Sequence, residues 1–233
     1  LDNFLEMIRQ AREDLLQGPR VTVFVGTVAV VGIFKRVAMA LSKNLNAHFS
    51  QNPESDEYHF PANYLDPDAV RTLLVTWVRD NSRKFEAYAV PMHDTFAENV
   101  ALLRASRMLG METYTKHILH TFVDYLKNEL PSYEEMVIVE RNATSDKDPL
   151  WTAIVNHLCH ERYKKYIPDP EVFQAFLDQH PRLKKAMTSA DAYFQADGKK
   201  YEAKEAEWRA HEGERRARRE KYQEEKRAQI AKE

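Results

Sequence analysis

One cysteine, Cys159, in 233 residues excludes a disulfide framework within the chain and any four-cysteine metal site. Glycine is also scarce, six in all, which argues against glycine-rich phosphate loops and large β-sandwiches. No apolar run reaches the roughly 18 residues a membrane span needs, so no membrane association is expected. Neither sign of charge dominates, with 34 Lys and Arg against 36 Asp and Glu and a formal net charge of −2. Residue 1 is Leu rather than Met, and the chain reads as a fragment of a soluble, intracellular protein.

What is present is unevenly spread. Residues 198–233 hold twelve Lys and Arg against nine Asp and Glu, a net +3. Residues 1–197 hold 22 against 27, a net −5. Most of the apolar content sits in the acidic part, so a compact acidic body with a charged tail is expected.

Leu1, Phe4, Leu5, Ile8, Ala11 and Leu15 recur at helical spacing, and Gly18-Pro19 stops that leading helix, placed over residues 1–17. Val21–Val25 and Val28–Phe34 read as two strands joined by the turn Gly26-Thr27, a hairpin. Val37–Leu41 and Leu45–Phe49 read as short helices, and Tyr58–Phe60 as an edge strand. Asp66-Pro67 opens a helix whose inner face is Val70, Leu73, Leu74, Trp77 and Val78. Phe85–Val90 reads as a further strand. Phe96–Leu109 ends at Gly110, and Thr113–Leu130 ends at Pro131. Pro131–Met187 is helical by pattern, broken at Asp148-Pro149 and Pro168-Asp169-Pro170. Asp191–Glu233 is rich in helix formers with charges at i,i+4. Strands confined to the first 90 residues among helices describe an α+β body.

Few constellations offer chemistry. The stretch GTVAVVG, from Gly26 to Gly32, has neither the Walker Lys-Ser/Thr nor the three-glycine dinucleotide pattern. His117 and His120 stand at i,i+3 on one expected helix, His157 and His160 on another, with Cys159 alongside. Four imidazoles suit zinc in type, but no HExxH pattern accompanies them, and a helix surface explains the spacing as well. No metal and no cofactor is expected. Cys159 and its neighbouring histidines point in different directions on a helix, so no nucleophile is expected and the protein reads as non-enzymatic. In the tail, Arg215, Arg216, Arg218 and Arg219 fit either a phosphate contact or nuclear-import signal, or a solvated helix neutralised by Glu212, Glu214, Glu220, Glu224 and Glu225.

Val21-Thr22-Val23-Phe24-Val25-Gly26, Leu41-Ser42-Lys43-Asn44 with Phe49, Asp66-Pro67-Asp68-Ala69-Val70 followed by Leu73-Leu74 and Trp77-Val78, and Leu103 to Met111 with Tyr114 and His117-Ile118 together resemble the BTB/POZ fold, particularly its fungal members. Asp148-Pro149-Leu150-Trp151 and Ile167-Pro168-Asp169 with Phe173, Leu177 and Pro181 resemble a helical extension of fungal relatives. At the place of the family's Val-His-Lys signature stands Ile33-Phe34-Lys35-Arg36-Val37-Ala38, without a histidine. The resemblance implies a BTB/POZ-like small sheet capped by helices over residues 1–130, an all-helical extension over 131–190 and a long charged helical tail over 191–233.

It also implies what the protein does: a scaffold or adaptor that dimerises and docks protein partners, with a nuclear, transcription-related complex as the setting. The leading helix and first strand of such folds form two-fold dimers, which assigns self-association to Leu1, Phe4, Leu5, Ile8, Leu15, Val21, Val23 and Phe24. Tyr201 and Trp208, seven apart on one helix face, and Tyr222 are a second partner surface with Arg215, Arg216, Arg218 and Arg219. Two alternatives accompany this expectation: a substrate adaptor of a cullin-type ubiquitin ligase, and chromatin or nucleic-acid association through the tail. The nucleus is expected ahead of the cytoplasm.

Overall fold

The computed structural model describes residues 3–194, a mixed α+β chain. It divides into two compact units, Leu1–Phe176 and Leu177–Glu233.

The first unit is built on a hairpin. Strand β1 (Arg20–Val25) pairs antiparallel with β2 (Val28–Phe34), and β3 (Glu57–Phe60) runs parallel to β1 on its far side, giving the order β2-β1-β3. A parallel partner needs a crossover, and α2 (Lys35–Leu41) with α3 (Lys43–Gln51) supplies it. Val21, Val23 and Val25, Val30 and Ile33, and Phe60 form the buried face. Val30 and Ile33 lie three apart, so a regular strand would point them to opposite faces. A bulge resolves this: β1 advances two residues from Val21 to Val23 while its partner changes from Ile33 to Val30. Gly32 takes φ 86° there, and the extra residue returns Ile33 to the core.

Several helices start or stop at side-chain caps or at a glycine. Ser42 caps α3 by accepting from the Leu45 amide at 3.1 Å and donates to the Leu109 carbonyl at 2.5 Å, tying two helices at one side chain. Asp66 caps α4 (Pro67–Arg71), which passes through a π turn (Thr72–Thr76) into α5 (Trp77–Ser82). The inner face read from sequence, Val70, Leu73, Leu74, Trp77 and Val78, is buried. Thr95 and Glu98 form a capping box at the start of α6 (Phe96–Leu109), and Gly110 at φ 69° ends it. Helices α7 (Lys116–Asn128), α8 (Tyr133–Asn142), α9 (Pro149–Lys164) and α10 (Pro170–Gln179) follow, and 181–194 is helical. α6 is the hub, touching α3, α4, α7 and α8. Because α8 packs on α6 and α9 on α7, the chain has no break at residue 130.

Two expectations give way. The leading helix is a 3₁₀ turn (Phe4–Glu6) followed by the short α1 (Arg9–Asp14), with Ile8 extended between them at ψ 153°. Phe85–Val90 forms no strand, because side chains rather than a neighbouring strand take several of its backbone groups: Trp77 and Asn81 bond Tyr88, and Arg12 bonds the Phe85 carbonyl. Among the described residues no helix is long and apolar enough to cross a membrane.

Gly26 is the tightest point of the hairpin. It holds φ 60° while Thr27 stays negative, the pattern of a II′ turn, and a Cβ there would stand 2.8 Å from the Ala62 Cα. Gly26→Ala is expected to lower stability by about 2–4 kcal/mol, through the left-handed backbone and the collision with main chain. A shift of the urea midpoint measures it.

Candidate functional site

The N-terminal segment, the end of α5 and the loop 83–95 meet at one buried side chain. Arg12 is 1% exposed, and among the described residues no carboxylate pairs with it. Its guanidinium instead spans backbone carbonyls: Nε donates to Asn81 at 3.4 Å, Nη1 to Met7, and Nη2 to Lys84 at 2.7 Å and Phe85 at 3.2 Å. A planar fork of five N–H groups can satisfy several acceptors at once, which a lysine ammonium does less well. Beside it Asn81, wholly buried, donates to the Trp77 carbonyl at 3.1 Å and accepts from the Tyr88 amide at 2.7 Å.

An aromatic cluster backs this knot. Phe4 packs on Trp77 at 5.2 Å between ring centroids, and Trp77 on Tyr114 at 5.1 Å. The Trp77 indole donates to the Tyr88 carbonyl at 2.9 Å, and the Phe4 amide donates to the Tyr114 hydroxyl at 3.3 Å. Burial raises the Tyr114 pKa above the ordinary phenol value, with the Phe4 amide pulling the other way, so the hydroxyl stays protonated.

On the outer side of the knot two apolar side chains face solvent. Ile8 is 73% and Phe85 88% exposed, with Tyr88 and Met92 exposed on the same loop as Phe85. Met7 and Phe85 hand their carbonyls to one guanidinium, so the backbone just before Ile8 and the backbone of Phe85 are held on one support. Isolated exposed apolar residues are ordinary; these two differ in that the backbone carrying them is tied to a buried charge.

The residues assigned to self-association scatter. Phe4, Val21 and Val23 are committed to the protein's own core, Leu5 and Leu15 are half-buried, and Ile8 is exposed. Phe24 lies on the open face of the sheet, stacked on His59 at 4.6 Å and 3°. Leu1 and the tail residues Tyr201, Trp208, Arg215, Arg216, Arg218, Arg219 and Tyr222 lie outside the described residues. Phe85 and Arg12 were missed. Arg12 had a signal, since it falls on the apolar stripe between Ile8 and Leu15 at helical spacing, a lone charge where burial is expected.

Other polar clusters are structural. A crevice between α6 and α8 is lined in part by Arg104, Arg107, Asn142 and Asp148. Asp148 caps α9 through the Leu150 amide at 3.1 Å, accepts from the Thr144 amide at 3.1 Å and pairs with Arg107. Arg104 donates to the Tyr64 carbonyl at 2.7 Å and the Asn142 carbonyl at 2.9 Å. Among the described residues no group of three or more His, Cys, Asp or Glu is gathered to hold a metal. His117, His120 and His160 are exposed, while Nε2 of His157 is buried without a partner. Burial holds the His157 pKa below the usual imidazole value, and His160 adds to this while Glu161 opposes it.

The chain matches no known family model, no curated protein and no solved structure.

Arg12→Met is expected to cost about 3 kcal/mol or more, because several carbonyls lose their donor in a buried site, and Arg12→Lys to recover only part of it. Urea unfolding of the three proteins checks this. For His157, the unfolded chain takes up its proton before the folded one, so stability falls as pH drops through about 6.5. His157→Leu is expected to flatten that part of the profile, read as Tm between pH 7.5 and 5.5. An unchanged slope excludes this histidine as its source.

Proposed function

We propose that this chain is a non-enzymatic docking module with a BTB/POZ-like body, which presents a fixed apolar surface to partner proteins. The order hairpin, helical pair, short edge strand and further helices around a small sheet supports the family reading, since a small sheet capped by helices is what the resemblance implies. The carrying observation is the exposed pair Ile8 and Phe85 held on the Arg12 support.

The energetics fit a docking role. Fully burying one such side chain is worth about 1.5–3 kcal/mol. Two together do not offset the roughly 4–15 kcal/mol that association costs, so a stable contact has to draw on further apolar side chains, and Tyr88 and Met92 are exposed on the same loop as Phe85. Rigid presentation matters here, because a surface ordered in advance loses little entropy on binding.

Phe85→Ser is expected to leave Tm within about 1 °C of the parent, since an exposed side chain contributes little to folding, and to remove the proteins that co-purify with the full-length protein. Mass spectrometry of matched purifications reads the outcome, with a chain ending at Ala190 as a comparison for the tail. An identical set of proteins on parent and Phe85→Ser overturns the assignment.

A further inference from the structure

We propose that the N-terminal segment, residues 3–16, is a strap that opens and closes together with the loop 83–89 as one unit, less stable than the core beneath it. Among residues 3–16 only Phe4 and Arg12 are buried. The helical pieces of the segment are a three-residue 3₁₀ turn and the six-residue α1, far below the length at which a helix stands alone in water. The segment is therefore ordered by what its two anchors touch. The chain leaves it through Gly18 at φ 92°, a backbone state that glycine adopts at no steric cost, and β1 begins at Arg20. A hinge falls there, between the strap and the hairpin.

The loop is as thin. Residues 83–86 and Tyr88 are exposed, Ala87 and Ala89 are half-buried, and the first buried side chain after them is Val90. Few groups hold its backbone. The Lys84 and Phe85 carbonyls accept from Arg12 at 2.7 and 3.2 Å, the Lys84 amide donates to the Asn81 carbonyl at 3.1 Å, and Tyr88 is bonded by Trp77 and Asn81. Each of these ties runs to the strap or to a residue the strap touches, since Phe4 lies on Trp77 and Arg12 bonds the Asn81 carbonyl.

Neither piece leaves alone. If the loop lifts off, Arg12 keeps its charge in a site that has lost two of its acceptors. If the strap lifts off, those two carbonyls lose their donor and Trp77 loses its cover. A buried charge or polar group stripped of its partners is costly, whereas opening both pieces at once lets water take every freed group. Irregular segments with few buried side chains are where local opening occurs. By linkage, whatever binds and orders the loop also holds the strap, and whatever draws the strap away releases the loop.

Hydrogen exchange of the full chain, read by mass spectrometry at neutral pH, tests this. Peptides covering residues 3–16 and 83–89 are expected to show opening constants equal within about threefold, and at least about tenfold larger than those of β1 and α6. Phe4→Leu alters no hydrogen bond of the loop, yet it is expected to quicken exchange in both pieces by about tenfold. Arg12→Lys is expected to quicken both as well, and protection retained in β1 and α6 shows that each variant is folded. A strap quickened while the loop keeps its parental rate overturns the coupling, as does a strap that neither substitution quickens, or parental constants that differ by more than the threefold. Exchange of both pieces only at the rate of the core overturns the separate unit. The measurement needs no partner protein, so its outcome is independent of the docking surface.

Discussion

The guanidinium of Arg12 is a full positive charge removed from water and surrounded by backbone oxygens instead of a carboxylate. Burying a charge is costly unless its hydrogen bonds are replaced, and the acceptors here come from three separate parts of the chain. The N-terminal segment, the last turn of α5 and the loop after it are each too short or irregular to order themselves. Joined through one planar donor they become a single support. The exposure of Ile8 and Phe85 follows from this, since the backbone that carries them is held by its carbonyls and the side chains are left outward.

The remainder of the first unit is organised around α6 in a similar economy of connections. Ser42 caps α3 and reaches the Leu109 carbonyl at the end of α6, Arg104 bridges Tyr64 to the end of α8, and Asp148 caps α9 while holding Arg107 of α6. Each polar side chain satisfies backbone ends that helices leave open and fixes the angle between two elements. Among the described residues, the buried Nε2 of His157 lacks a partner.

Much of this was legible in the residues. Gly26-Thr27 between β-branched runs located the hairpin, Asp66-Pro67 the start of α4, and Gly110 the end of α6, because turns and caps depend on residues within four or five positions. The parallel placement of β3 was not legible, since an edge strand of four residues carries no mark of its direction. Nor was the bulge at Val31 and Gly32, although it decides that Ile33 faces inward. The apolar alternation around Phe85 suggested a strand, and long-range side-chain bonds to Trp77, Asn81 and Arg12 took the backbone groups a strand would have used.

The candidate surface marks the boundary between the two kinds of information. Local pattern determined that an amphipathic N-terminal segment precedes the hairpin and that Arg12 interrupts its apolar stripe. Only the tertiary structure decided that the arginine goes in and the phenylalanine comes out. Hydropathy favours the reverse for both, and the bonds that override it join positions 69 to 73 residues apart. Such contacts exist only once the chain has closed on itself, so no window of sequence contains them.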